Sequence, residues 1–199
     1  MTPTRDGSPT AAPRRRADAE RSVARIMEAA LDELASDPEA SMAEIARRAG
    51  VVRATIYVHF PTRDALIGAV TDRGIAEAVD AIEAAEPERG DAADALRRVI
   101  EAAWRTLGRY HALVAINVRL PQAELHDRHQ AVLDVLAPLI ERGQREGQFR
   151  SDVPAAWHLS MALSLIHAAS AELRAGSLPE DEIGPALVTT ILAAVSHRS

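Results

Sequence analysis

Arg53, Thr55, Tyr57 and His59 bring four hydrogen-bonding side chains into seven residues, interleaved with Ala54, Ile56 and Val58. A guanidinium, an imidazole and two hydroxyls at such spacing suit recognition of phosphates and base edges. At about 100° per residue, Val52, Ile56 and Phe60 share one helical face, and Ala54 and Val58 share the opposite one. Arg53 and Tyr57 lie on one flank, Thr55 and His59 on the other. The Val52, Ile56 and Phe60 face is expected to pack inward. The polar flanks, around a small apolar ridge, suit a DNA major groove, where phosphates form the walls and bases the floor. The plainer alternative is a small helical hairpin with a solvated face.

Two short helices and a tight turn must position these residues. Ser41 followed by Glu44 has the form of a capping box, in which each residue satisfies a backbone N–H of the other, so a helix is expected from Met42. Met42, Ile45, Ala46 and Ala49 repeat at helical spacing, and Gly50 supplies the left-handed conformation that stops a helix. A second helix, about 52–60, then packs across the first at the small Ala46, and Pro61 ends it.

The stretch from Ala43 to Val70 resembles the DNA-binding region of the tetracycline-repressor (TetR) family of transcriptional regulators. The likeness covers roughly 41–70 and rests on the A-x-x-x-G-V, T-I-Y-x-H-F and R-x-x-L elements in order. It implies that Thr55, Tyr57 and His59 contact the DNA backbone, that Arg63 contacts a phosphate, and that Arg53, Ala54 and Val58 face bases. Val52 stands where a capping serine is usual, so the second helix should begin less firmly. Val58 stands where a polar residue is common, so apolar contact with a thymine methyl is expected there.

With 199 residues the chain has room for one domain or two small ones. It has no cysteine, which excludes disulfides, thiolate metal sites and thiol chemistry. No apolar segment near the start suits a secretory signal, and the most apolar run, 154–171, is interrupted by His158, Ser160, Ser164, His167 and Ser170. A cytoplasmic, membrane-free protein is expected. The net charge of −6 argues against nucleic acid, but from Ser41 to Arg63 four arginines stand against Glu44 alone.

Residues 1–17 are rich in Pro, Ser, Thr and Ala and are expected to form a disordered arm; Arg14, Arg15 and Arg16 suit either a minor-groove contact or a solubilising tail. Helices are then expected at about 18–35, 42–49, 52–60 and 62–85. The second half follows with 92–107, 110–120, a seventh helix from the segment after Pro121 to 146 with a kink at Pro138, an eighth to about Ala175 with Asp152 as its cap before Pro154, and a ninth from about Glu180 or Pro185 to Ser196. No strand pattern occurs, and the expected fold is all-α with about nine helices. A disordered arm (1–17) precedes a helix-turn-helix DNA-binding domain (18–66) and an effector-binding and dimerisation domain (67–199), with the fourth helix linking the two and able to carry a change in one to the other. The helices at 152–175 and 180–196 are apolar on more than one face, as a homodimer built on a four-helix bundle would require.

In the second half, the resemblance places an effector pocket in helices five to eight. Trp104, Tyr110, His111, Asn117, Trp157, His158, Met161 and His167 together suggest a mostly apolar cavity with polar anchors, although each polar group alone reads as a structural residue. His126 and His129, near Glu124 and Asp127, leave a helical-bundle metalloenzyme as the alternative; no Glu-x-x-His pair supports a di-iron site, and no nucleophile, base and orienting group assemble. A DNA-binding architectural protein without an effector is the third reading. The preferred expectation is a homodimeric, ligand-responsive regulator that binds a near-palindromic site on double-stranded DNA, represses, and is released by a small-molecule effector, with no catalytic residues, cofactor or metal.

Overall fold

The computed structural model describes the backbone of residues 11–117, 124 and 127–197, and the side chains of all of these except 11–15, 115 and 117. The helices are α1 (Ala11–Ser36), α2 (Met42–Arg48), α3 (Arg53–His59), α4 (Arg63–Ala84), α5 (Ala92–Leu107), α6 (His111–Asn117), α7 (Gln130–Arg145), α8 (Ala155–Ala175) and α9 (Glu180–Val195), with a 3-10 turn at Gly108–Tyr110. The fold is all-α as expected. One antiparallel β-bridge is present, Phe149 with Ser196, where Arg150 N–H donates to Val195 C=O and His197 N–H to Gln148 C=O. Among the described residues no helix is long and apolar enough to cross a membrane.

The chain divides into two compact units between Ile67 and Gly68, within α4. The division separates charge as well. Up to Ile67 the sequence has ten arginines and ten carboxylates; from Gly68 it has thirteen against nineteen, so the whole excess of acid belongs to the second unit.

In the first unit, Ile26, Ala30 and Leu34 of α1, Ile45 and Ala46 of α2, Ile56 of α3 and Leu66 of α4 are all at most 2 % exposed. Truncating one of these isoleucines or leucines to alanine costs about 2–5 kcal/mol. The exposed pair Arg48–Asp32 (3.0 Å) and the partly exposed pair Arg48–Glu33 (3.6 Å) also join α2 to α1, but surface pairs are worth about 0–1 kcal/mol, so packing holds these helices together.

Four local expectations are corrected. Helix α1 begins at Ala11, so residues 11–17 of the expected disordered arm are helical. Alanine and arginine favour helix, and Pro13 falls in the first turn, where its missing N–H costs nothing; the earlier part of that arm lies outside the described residues. The expected seventh helix is interrupted at His129, a turn residue whose ring lies against His167, and resumes at Gln130. Asp152 does not cap α8, because its carboxylate is taken by Arg150, which holds its pKa at about 2. Finally, Val52 is 70 % exposed although Ile56 and Phe60 are buried. Its extended backbone, φ −72° and ψ 149°, places it outside the helix, so its side chain does not follow the helical register.

The second unit has a core running from Ile82 through Leu96, Val99, Ile100 and Trp104 to Leu139, Ile140, Phe149, Leu187 and Ile191. Helix α8 remains amphiphilic in an unusual way. Leu163, Leu165 and Ile166 are only half-buried and Trp157 is 62 % exposed.

Candidate functional site

The helix-turn-helix forms from its own local chemistry. Ser41 Oγ accepts from Glu44 N–H at 3.3 Å, while a Glu44 carboxylate oxygen accepts from Ser41 N–H at 2.8 Å, completing the capping box. Ser41 Oγ–H also donates to the same Glu44 oxygen at 2.7 Å, and this bond, with the one from Ser41 N–H, holds the Glu44 carboxyl below its ordinary range. Gly50 adopts φ 65°, and Val51 N–H returns to Ala46 C=O at 3.0 Å to close the turn. Thr62 Oγ1 accepts from Ala65 N–H and so caps α4.

Helix α3 turns Ile56 into the core and leaves Arg53, Ala54, Tyr57 and Val58 exposed, with Thr55 and His59 half-buried beside them. The Arg53 guanidinium lies 5.6 Å from the centre of the Tyr57 ring, so the two form one amphipathic patch. Val58 is 77 % exposed and carries the apolar ridge. The N-cap residue Val52 makes no side-chain hydrogen bond. These six side chains, from Arg53 to His59 without Ile56, are brought together on one surface. Arg63 is not among them. Its Nε–H donates to Ala40 C=O at 3.1 Å and its NH2 group donates to Pro38 C=O, so the guanidinium fastens the α1–α2 loop to the start of α4. Two of its five N–H donors are thus engaged in the fold, a structural role beside the phosphate contact expected of it.

The second unit holds a cavity of about 30 Å³, between Thr71, Gly74 and Ile75 of α4, Leu107, Tyr110, Leu113 and Val114, His129 and His167. Two of the eight residues expected to bind an effector, Tyr110 and His167, line it. A mid-helix glycine makes it possible: a Cβ on Gly74 would lie 2.8 Å from Tyr110 Cδ1. The rings of His129 and His167 meet edge to face with centroids 5.4 Å apart. Burial, and secondarily the charge of His129, bring the His167 pKa down to about 4, so this imidazole is neutral; its Nδ1 is buried without a hydrogen-bond partner. Burial and the Glu77 carboxylate push the Tyr110 phenol up to about 12.

The other expected residues are elsewhere. His111 is buried, with Nδ1 3.0 Å from Ser170 Oγ. Ser170 gives its own proton to Ile166 C=O, so His111 Nδ1 must be the donor, and its Nε2 is left as a buried acceptor. Burial lowers the pKa of His111, against the pull of Glu180. Trp104 lies against it, ring centroids 4.5 Å apart and planes tilted by 44°, and lines an open cleft of about 470 Å³ between α5 and α9, rimmed by Arg97, Arg105, Glu180 and Asp181. His158 is a structural residue, its Nε2–H donating to Arg150 C=O at 3.1 Å. Met161 packs half-buried on the core, and Trp157 is exposed. Asn117 belongs to α6, but its side chain is outside the described residues, as is His126. Among the described residues no three His, Asp or Glu are grouped to hold a metal.

Of the residues lining this cavity, sequence reasoning did not single out Thr71, Gly74, Ile75, Leu107, Leu113 and Val114, and it weighed His129 only in the alternative metalloenzyme reading. Only Gly74, a glycine inside an otherwise regular helical stripe, signalled a close approach.

Comparison with known proteins places this geometry in context. The profile described as "Bacterial regulatory proteins, tetR family" matches residues 26–70. The HTH-type transcriptional repressor LfrR of Mycolicibacterium smegmatis is 28% identical over 177 residues, covering 88% of this chain and 91% of that protein. The HTH-type transcriptional regulator NfxB of Pseudomonas aeruginosa is 28% identical over 149 residues, covering 72% and 78%. The crystal structure of the TetR-like regulator LfrR from Mycobacterium smegmatis in complex with proflavine aligns with a TM-score of 0.70 at 26% identity, over 90% of this chain and 98% of that one.

Proposed function

We propose that the chain is a transcriptional regulator of the TetR family, a homodimeric, effector-released repressor acting in the cytoplasm. The carrying observation is the surface of α3, which exposes Arg53, Ala54, Tyr57 and Val58 above a fully buried Ile56. In this reading Arg53, Ala54 and Val58 face bases in the major groove, and Thr55, Tyr57 and His59 hold the DNA backbone. Two such heads in a two-fold dimer would read a near-palindromic site. The half-buried Leu163, Leu165 and Ile166 and the exposed Trp157 of α8 supply apolar surface for the partner.

The effector site is the cavity of Tyr110, His129 and His167. At about 30 Å³ it holds little more than water, so a small molecule must widen it. An effector that binds the widened state better draws the dimer away from its DNA-competent form, a population shift. The relatives are regulators, and the metalloenzyme alternative has no counterpart among them.

Selection of bound sequences from random duplex DNA by the purified protein tests the reading. The expected result is an inverted repeat whose half-sites suit a dimer, bound with an affinity that falls steeply with salt. Folded protein that enriches no motif would overturn it.

A further inference from the structure

Helix α1 starts long before its first buried side chain. From Ala11 to Arg25 none of the described side chains is buried, only Ala17, Ser22 and Val23 being half-buried, and the first that is buried is Ile26. At 1.5 Å per residue these positions span about 22 Å of helix. The exposed pairs Arg16–Glu20 and Arg21–Asp18 and the helix propensity of alanine and arginine support it, but such pairs contribute only tenths of a kcal/mol each. Neither these pairs nor any buried side chain accounts for the extension.

Its charge does. Residues 11–25 hold Arg14, Arg15, Arg16, Arg21 and Arg25 against Asp18 and Glu20, a balance of +3. Residues 26–67, which contain the whole helix-turn-helix, hold four arginines against seven carboxylates, a balance of −3. A surface with that balance is poorly suited to phosphate, and the extension returns the unit to neutrality. Arg14, Arg21 and Arg25 stand at positions i, i+7 and i+11, within about 40° of one another and roughly half a turn round from the buried Ala30 and Leu34. Arg21 and Arg25 are exposed. Along the helix axis the three positions are about 10 and 6 Å apart, close to three and two nucleotide steps of one DNA strand at 3.4 Å each.

We infer that the N-terminal extension of α1 is a second DNA contact, a rigid basic helix that lies along the phosphate backbone and adds affinity without sequence preference. The occupant is double-stranded DNA, and the inference rests on the reading of α3 as the base-reading helix. A helical spar differs from a flexible arm. It presents its arginines at fixed spacing and does not need to enter a groove.

The test measures binding of the full-length protein to its selected site and to random duplex DNA over a range of salt concentrations. Wild-type protein that binds neither duplex would remove the underlying reading of α3. If it binds, the variant Arg14→Ala/Arg15→Ala/Arg16→Ala is expected to lose affinity by the same factor on both duplexes. Its plot of log affinity against log salt should be shallower by about 2 to 5, corresponding to one to three lost phosphates per protomer in a dimer. Alanine keeps the helix, so an unchanged slope would mean that these arginines touch no phosphate. Ala17→Pro leaves charge untouched but breaks the helix nine residues before Ile26, its first buried side chain. It is expected to reduce the slope as well. A slope lowered by the arginine variant and unaltered by Ala17→Pro would overturn the helical spar in favour of a flexible arm. Thermal unfolding of both variants at the wild-type temperature guards against a change in the packed unit.

Discussion

His129 and His167 meet edge to face at 5.4 Å, and the cavity they share keeps His167 neutral, with a pKa near 4 instead of 6.5. The unfolded chain therefore takes up a proton at this residue before the folded one does. Stability from this source is complete above about pH 6.5 and falls as the pH drops toward 4, by at most about 3 kcal/mol. His111, lowered by burial as well, contributes with the same sign. Urea unfolding at pH 7, 5.5 and 4.5 should show His167→Gln closing its stability gap with the wild type, or gaining on it, as the pH falls. Parallel losses in the two proteins would exclude His167 as the titrating group.

The approach of Tyr110 to Gly74 gives a packing prediction. Gly74→Ala puts a methyl 2.8 Å from Cδ1 of a ring that is 2 % exposed, so either the ring or α4 must move. A loss of about 1–3 kcal/mol is expected despite alanine's better helix propensity. Tyr110→Leu in the same background should recover part of it; strictly additive losses in chemical denaturation would show that the clash is relieved some other way.

On the α3 surface, Arg53→Ala is expected to weaken binding to the selected site by about 1–3 kcal/mol and binding to random DNA much less. Tyr57→Phe and His59→Ala should weaken both alike. Arg53 lies over Tyr57, so part of the Arg53 effect passes through the ring, and a double-mutant cycle with Tyr57→Phe should reveal coupling. Equal losses for Arg53→Ala on the two duplexes would make it a backbone contact.

Arg63 offers the opposite pattern. Removing its bonds to Ala40 and Pro38 carbonyls should cost about 1–3 kcal/mol of stability in Arg63→Ala, while the salt slope of DNA binding stays at the wild-type value. A shallower slope with unchanged stability would show the phosphate contact that the sequence suggested.

The contrast between Arg63 and Ser41 shows what could be read in advance. Ser41, Glu44 and Gly50 act within a few residues of themselves, and their cap and turn stand where the spacing predicted. The apolar stripes of α5 and α7 were readable for the same reason, since burial repeats with the helix. Arg63 acts on carbonyls 23 and 25 residues away, and nothing in its own neighbourhood announces them. The cavity was hardest. His158 and His167 look alike in the sequence, yet one ties down the backbone of Arg150 and the other faces His129, a difference made by packing between distant helices. Val52 was misplaced because periodicity assigns faces only inside a helix, and it stands just before one.

The bridge between Phe149 and Ser196 fastens the base of a closed loop of nearly fifty residues that contains both α8 and α9. Closing a loop of that length requires chain entropy to be given up before the bridge's few hydrogen bonds form, so this clasp belongs late in folding. Until it closes, the nascent chain carries its most apolar helices as an open hairpin, vulnerable to premature association with other copies.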